Sequence, residues 1–524
     1  MFVGANSSLF RRVCCKWLLL LFCGHPLGAA SWTRVQADGL EVLSDAGAAS
    51  ARESLHQLQQ IRSVFRQLLQ SASFSPMPVR VFVFATPAEY AQYRIRSHAS
   101  GFYQSGPERD YIVLQAGGPA RSITFHEFTH VLMAHTGLSA PLWLNEGMAE
   151  FFSTTSIRNG EVRLGGAPAD RLKTLRNTAG LRLQDLFRVD SASAVYGKAI
   201  FYAQSWALVH LLVFSPDYTG LLAKLIQAKN SILEQDLPRL QHDLQNYVAK
   251  AQFRESVVKL NPLTQESAPQ VELLGATAAA VALADLAVAL SRPEQAEAVL
   301  KPLRQSNNPE VHIALGEVAL SSGDDATAKN HFERALALGS TSGRLRWDYA
   351  MLLRDSGAPE SAVVVELRRA VQIEPNLFDA HLLLGTWALR DGRKAEAEKH
   401  LEVAMRLRPG RVDAAEQLQS ARTSEASPVK QSTHPTKPAP DQVEGMLSAV
   451  DCLGPVARLT ILTKDGKQFL LVRDPSAVTI TNAGEGHTEL PCGSIPPRQV
   501  RVEYTAHFNA TYRTIGDVRS ITWK

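Results

Sequence analysis

Cysteine is scarce in this chain of 524 residues: there are five in all, and three of them, Cys14, Cys15 and Cys23, fall within the first 30 positions. A cysteine-rich fold is thereby excluded. An excess of one charge is missing too, since 55 Lys+Arg against 51 Asp+Glu leaves only +4, too near balance for a protein that wraps nucleic acid. No apolar run suits a bilayer: Trp17 to Cys23 is too short, and Leu273 to Leu290 is alanine-rich with Asp285 in its middle, a residue that costs about 2.5–3.5 kcal/mol at a bilayer centre. What the chain does have is length, and 45% hydrophobic against 20% charged residues suffice for about three or four domains with real cores.

Arg11, Arg12 and Lys16 precede the short apolar run, and Gly28, Ala29 and Ala30 follow it. That order of charge, apolar core and small residues is the pattern of a secretory signal, here residues 1–30, with cleavage expected after Ala30. The expectation is an exported protein, periplasmic or secreted, of a bacterial envelope, with no transmembrane span in the mature chain. A lipid anchor on Cys23 is disfavoured by the bulky Phe22 before it. Loss of the signal removes three positive charges, leaving +1, and leaves Cys452 and Cys492 as a candidate disulfide.

The mature chain reads as a multidomain α+β protein. Residues 31–120 alternate helix and strand: a helix from Ala48 to Leu69, a β-rich run from Val79 to Phe84, a short helix from Ala88 to Arg94 and a strand from Tyr111 to Leu114. Helical periodicity then dominates 121–260. Residues 265–420 repeat: Leu315-Gly316, Tyr349-Ala350 and Leu384-Gly385 recur at spacings of 34 and 35, each followed by an alanine (Ala328, Ala362, Ala397) and a helix-closing alanine (Ala335, Ala370, Ala404). This resembles the tetratricopeptide repeat, whose small residues let two antiparallel helices pack closely, and the resemblance implies an all-α solenoid. A Pro-, Ser-, Thr- and Lys-rich linker is expected at 421–445. Alternating apolar positions from Leu459 to Tyr504 make 446–524 a small antiparallel β domain.

The chemistry concentrates in Phe125-His126-Glu127-Phe128-Thr129-His130. On a helix the i, i+4 spacing sets both imidazoles on one face, able to grip one metal ion, with Glu127 placed to act on a metal-bound water. Sixteen residues later Glu146 follows in Trp143-Leu144-Asn145-Glu146-Gly147-Met148-Ala149-Glu150. A carboxylate at that distance, on a second helix, would complete a three-ligand site with one open position.

His-Glu-x-x-His followed by Trp-Leu-Asn-Glu-Gly resembles the aminopeptidase-type gluzincins, zinc peptidases of the peptidase-MA group, with slightly shorter spacing. The resemblance implies a zincin-like catalytic domain, Zn²⁺ held by His126, His130 and Glu146, and Glu127 as the general base that later protonates the leaving amine. It also implies that Glu150 hydrogen-bonds a ligand histidine. Tyr202, in Tyr-Ala-Gln-Ser-Trp-Ala-Leu, is similar to the family's Tyr-x-Lys-Gly-x-x-Leu tyrosine, the oxyanion donor; Gln204 and Ser205 depart from that pattern, and Tyr196 is the rival. The stretch from Ser100 to Gly106 lacks the carboxylate with which the aminopeptidases read a free amino terminus, so an endopeptidase is expected. His135 and His210 are expected to be ordinary helix histidines. The implied function is zinc-dependent hydrolysis of peptide bonds, with the repeats recruiting a protein substrate or partner; the alternative is a non-catalytic exported scaffold that keeps the zincin fold as structure.

Overall fold

The computed structural model describes residues 31–524 apart from 69–76, 96–98, 107–108, 118–119, 137–139, 191–192, 219, 223–236, 261–267, 410, 424–440, 454–455, 464–465, 473–477, 482–492 and 510–513. The signal segment therefore lies outside the described residues, as does Cys492; Cys452 sits in a strand, and its side chain is not among those described.

Five strands and three helices begin the chain: β1 (Trp32–Ala37), β2 (Leu40–Ser44), α1 (Ala48–Leu68), β3 (Val79–Phe84), α2 (Pro87–Tyr93), β4 (Gly101–Gln104), β5 (Asp110–Gln115) and α3 (Ala120–His135). Strands β2, β3 and β5 run parallel, β4 lies antiparallel on the outside of β5, and β1 is antiparallel to β2. Strict alternation assigns the two faces of this sheet. Val79, Val81 and Val83 enter a core with Leu55, Leu58, Phe65, Phe125 and Phe128 from α1 and α3, whereas Phe82 and Phe84 enter a second core on the opposite face.

The chain continues through α4 (Leu142–Ser153), β6 (Ser156–Arg158), β7 (Glu161–Leu164), α5 (Ala169–Asn177), α6 (Leu183–Phe187), α7 (Ala199–Phe214), α8 (Leu237–Lys250) and β8 (Ser256–Lys259). Residues 156–164 form a hairpin, and β8 joins it as a third strand. Its turn is Asn159-Gly160, with φ of 51° and 75°, a left-handed pair that this dipeptide adopts readily.

The repeat segment opens with β9 (Gln270–Leu274), which pairs antiparallel with β1 and makes a sixth strand of the first sheet. Then come α9 (Ala276–Ala289), α10 (Pro293–Leu300), α11 (Pro309–Ser321), α12 (Asp325–Ala337), α13 (Gly343–Asp355), α14 (Glu360–Ile373), α15 (Phe378–Arg390), α16 (Lys394–Leu407) and α17 (Val412–Thr423). They stack as helical hairpins in which Phe332 and Leu401 pack directly over Gly316 and Gly385, the close approach for which the small residues were selected. The array is not a separate body. Ala279, Ala282, Leu286, Val311, Ala314 and Val318 share the second core with Trp32, Phe82, Phe84, Phe102 and Tyr111, so the first repeat helices cover the back of the sheet. Asp285 anchors the contact, taking Arg80 at 2.6 Å and the Tyr111 hydroxyl at 2.9 Å. The apolar character of Leu273 to Leu290 is thus spent on a sheet, and no described helix is long and apolar enough to cross a membrane.

The expected linker of 421–445 is overrun at both ends, since α17 runs to Thr423 and β10 opens the last unit at Asp441, and its remainder, 424–440, lies outside the described residues. That unit comprises β10 (Asp441–Leu453), β11 (Val456–Thr463), β12 (Gly466–Val472), β13 (Thr479–Thr481), β14 (Gly493–Asn509) and β15 (Thr514–Trp523) in the order β12-β11-β10-β14-β15-β13. It is not wholly antiparallel as the alternation implied: β12 and β13 each pair parallel with β15, and the β12–β15 contact closes the sheet on itself. Alternation reports which residues face inward and is silent on strand direction.

Candidate metal centre

Helix α3 lies on the sheet through Phe125, Phe128 and Val131, all buried, which turns the flank bearing His126, Glu127 and His130 away from that core. Helix α4 buries Trp143 and Leu144 and presents Glu146 and Glu150, one turn apart, toward α3. Its close seat on α7 depends on Gly147, where a Cβ would lie 2.6 Å from the Ser205 carbonyl oxygen and 2.7 Å from Val209 Cγ2. Strand β4 comes up beside α3 in the same way: a Cβ on Gly101 would meet Ile123 at 2.5 Å and Glu127 Cγ at 3.4 Å. The segment expected to match the family's substrate-reading strand is thus a strand next to Glu127, and it carries no carboxylate.

Three donor atoms converge. His126 Nε2 and His130 Nε2 are 3.2 Å apart, and each lies 3.5 Å from Glu146 Oε2. A tetrahedral ion with bonds of about 2.0–2.1 Å has ligand atoms about 3.3–3.4 Å apart, so the near-equilateral triangle has the size of one face of such a site. Glu146 Oε2 is buried with no hydrogen-bond partner among the described residues, an orphaned lone pair aimed at the two imidazoles. Among the described residues these three form the group that could hold a metal ion. The donor set, two neutral nitrogens and one carboxylate oxygen, fits zinc.

The surroundings set the charge states. Burial disfavours a charged His126, but its pairing with the Glu146 carboxylate and the charges of Glu127 and Glu150 outweigh it and lift its pKa to about 9. Glu146 shows the reciprocal effect: burial works to raise its pKa, and the two histidines hold it well below the usual carboxylate range. Burial pushes Glu127 upward, against the histidine charges and a hydrogen bond from the backbone of Tyr103. The Tyr103 ring lies roughly parallel to His130, with centroids 6.5 Å apart.

Glu150 stands behind His126, its Oε1 3.6 Å from Nδ1. It is itself gripped by Arg171 of α5 through Nε–Oε2 at 2.9 Å and Nη2–Oε1 at 2.5 Å, a bidentate pair that fixes the carboxylate plane. Arg171 was not singled out from the sequence; nothing in the local pattern of Ala169–Asn177 separates it from the other cations of that helix. Of the two tyrosines, Tyr196 places its hydroxyl 3.2 Å from Glu146 Oε1. Tyr202 lies one step further out, its ring beneath the Arg171 guanidinium at 5.3 Å and 6.4 Å from the ring of Tyr196.

His135 and His210 do not join the donors. His135 pairs with Asp110 at 2.7 Å, and His210 bridges the Tyr247 hydroxyl at 2.8 Å and the Gly165 carbonyl at 2.9 Å.

A family model described as "Protein of unknown function (DUF1570)" matches residues 121–231, the segment that holds both ligand helices and both tyrosines. No curated protein matches the chain. Among solved structures the chain is similar to the MamA protein (20% identity, 28% of this chain and 80% of that one, TM-score 0.24). It is also similar to YrrB, described as a TPR protein with an unusual peptide-binding site (22% identity, 27% and 82%, TM-score 0.22). A third likeness is to the APC/C hetero-tetramer Cut9-Hcn1 (17% identity, 48% and 46%, TM-score 0.25). At such TM-scores these likenesses carry nothing about this chain's shape or activity.

Proposed function

We propose that the chain is a zinc-dependent peptidase of gluzincin type, an endopeptidase of the bacterial cell envelope whose repeat array recruits a protein substrate or partner. The observation that carries this reading is the triangle of His126, His130 and Glu146 donors with Glu127 beside it. A bound zinc ion would lower the pKa of a coordinated water to about 7 and polarise a carbonyl. Glu127 has the task of taking the proton of the attacking water and handing it to the leaving amine, and its burial-raised pKa suits a group that must both accept and return a proton. A tyrosine hydroxyl, from Tyr196 or Tyr202, donates to the oxygen on which charge develops. Glu150, held by Arg171, keeps His126 in one orientation.

A purely structural site would have no use for Glu127, which favours catalysis over the scaffold reading. The test is metal analysis of the purified protein together with a peptide-library cleavage assay, with and without chelator, for the wild type and Glu127→Gln. The expected result is stoichiometric zinc in both proteins and chelator-sensitive cleavage in the wild type alone. Stoichiometric zinc with no chelator-sensitive cleavage would establish the scaffold instead.

A further inference from the structure

Three successive hairpins of the array are α11–α12, α13–α14 and α15–α16, and one position in each joins its two helices by a polar contact. Four residues before Gly316, Ala350 and Gly385 stand His312, Arg346 and His381; four before Ala335, Ala370 and Ala404 stand His331, Glu366 and His400. The contacts are His312 Nδ1 to His331 Nδ1 at 3.1 Å, Arg346 Nη1 to Glu366 Oε2 at 2.6 Å, and His381 Nδ1 to His400 Nδ1 at 2.9 Å. The middle hairpin is tied by an ion pair of fixed charge, and its two neighbours by two imidazoles that share one proton.

In the α11–α12 pair that proton can be located. His312 Nε2 faces the Ser306 carbonyl at 3.0 Å, and a carbonyl only accepts, so Nε2 carries the hydrogen and Nδ1 is the acceptor of the N–H from His331. A first added proton goes to the outer ring, His331, at its far nitrogen and leaves the N–H···N bond in place. A second must go to the buried Nδ1 of His312, where it meets another N–H head-on, and the bond is lost. His312 and His381 are each only 7% exposed, so water cannot take over the broken contact without the helices parting.

We propose that the array is an acid-sensitive clasp, in which double protonation of the two histidine pairs opens α11–α12 and α15–α16 while α13–α14 stays shut. The surrounding charges oppose protonation without preventing it. Burial comes first and neighbouring Arg304 and Arg334 add to it at His331 and His312. At the second pair burial again leads, with His400, Arg406 and Lys399 acting on His381, and with Lys399, Arg368 and Arg393 acting on His400 against the one carboxylate, Glu396. No third histidine, cysteine or carboxylate joins either pair among the described residues, which disfavours a metal site here. The two hairpins concerned are also ones that hold the array to the sheet: α11 contributes Val311, Ala314 and Val318 to the shared core, and Arg408, at the end of α16, donates to the Gly106 carbonyl at 2.6 Å in the β4–β5 connection. Acid opening would therefore loosen the array's later contacts with the unit that holds the metal centre, while β9 and α9 stay on the sheet.

A group whose folded pKa is depressed from 6.5 to about 4, as for His381, destabilises the closed form as pH falls from 6.5 toward 4, and between pH 7.5 and 5.0 the opening equilibrium rises roughly 30-fold. Hydrogen exchange followed by mass spectrometry on the full chain, corrected for intrinsic rates, reads this segment by segment. The expected result at pH 5.0 is a loss of protection of that order in α15–α16, a loss in the same direction in α11–α12, whose imidazoles burial also lowers, and none in α13–α14. Equal changes in all three hairpins, or none, would overturn the proposal. Transplanting the middle pair, His312→Arg with His331→Glu and His381→Arg with His400→Glu, should flatten the difference; should that variant not fold, His331→Gln with His400→Gln serves, because the amide donates as histidine does and can turn its oxygen toward a protonated partner. Acid sensitivity unchanged in the folded variant would equally refute the clasp.

Discussion

Metal binding at pH 7.5 is expected to release at least about one proton, and the number follows from His126. Without metal, Glu146 and the charges of Glu127 and Glu150 overcome the burial of this imidazole and hold its pKa at about 9, so at pH 7.5 it is about 97% protonated. Coordination through Nε2 requires the neutral ring, and the proton leaves on binding. At pH 9.5 only about a quarter of the molecules still carry it, and the release should fall accordingly. Titration calorimetry of the chelator-stripped protein with zinc, in two buffers of different ionisation heat, gives the count directly. Glu127, whose pKa burial also raises, and a metal-bound water of pKa about 7 can add to that count, so one proton is its lower bound and the fall toward pH 9.5 is the part that belongs to His126. A count of zero at pH 7.5, or one that does not fall by pH 9.5, would refute this account of the site. The same shift fixes a stability trend: a pKa raised above 6.5 in the folded state stabilises the metal-free protein fully below pH 6.5, and the benefit is lost as pH rises through about 9. The loss is about 3 kcal/mol, measurable by urea unfolding of the metal-free protein at pH 6.0 and 9.5 and absent once metal occupies the imidazole.

Tyr196→Phe, which removes the hydroxyl from Glu146 Oε1, should lower kcat/KM by about 100- to 1000-fold if that tyrosine is the oxyanion donor; a larger loss from Tyr202→Phe would return the role to Tyr202. Glu150→Ala strips the carboxylate from His126 Nδ1 and strands Arg171, and zinc affinity in a chelator competition should weaken about 10- to 100-fold. Gly147→Ala forces a Cβ against the Ser205 carbonyl, and should cost about 1–3 kcal/mol in urea unfolding while loosening zinc, because Glu146 is its chain neighbour. Asp285→Ala removes the shared partner of Arg80 and Tyr111; since Arg80 keeps Glu41 at 2.6 Å, the expected cost is about 2–3 kcal/mol rather than that of a fully stranded charge, and a change under about 0.5 kcal/mol would show that the anchor contributes nothing.

The donor triangle was legible in the sequence because its parts are local: i, i+4 on α3 and a carboxylate on the next helix leave little freedom once both helices form. Glu150 was legible for the same reason, one turn beyond Glu146. The tyrosine could not be chosen, because Tyr196 reaches Glu146 through the turn that precedes α7, and no periodicity describes such a turn. Strands β1 and β2 and the hairpin β6–β7 escaped notice although Asp38-Gly39 and Asn159-Gly160 mark both turns, with φ of 50°, 78°, 51° and 75°; dipeptides of this kind flanked by short alternating runs were the available signal. The histidine pairs were also hidden in plain view. Aligning His312 with His381 and His331 with His400 needs only the repeat spacing, but their contact runs between two helices, and a reading concerned with small residues and helix ends passes over it.

The apolar stretch from Leu273 to Leu290 bears most on how the recruiting role can be tested. Removing everything after residue 260 is the obvious way to ask whether the repeats choose the substrate, yet that cut takes away β9 and the helices that cover Trp32, Phe82, Phe84 and Val113. Each large side chain so uncovered loses about 1.5–3 kcal/mol of burial, and three or four together rival the whole stability of an ordinary domain, about 5–15 kcal/mol. A truncated protein that fails to cleave would therefore report unfolding as readily as lost recruitment. The separable part of the array begins beyond α11, whose Val311, Ala314 and Val318 still belong to the sheet's second core. Recruitment is better tested by exchanging exposed side chains on α14, such as Val365 at 45% and Ile373 at 40% exposure, which leaves the sheet covered and the metal centre seated. Native-substrate cleavage that falls while cleavage of a short peptide holds would assign recognition to the array, and equal losses on both substrates would remove it from that role.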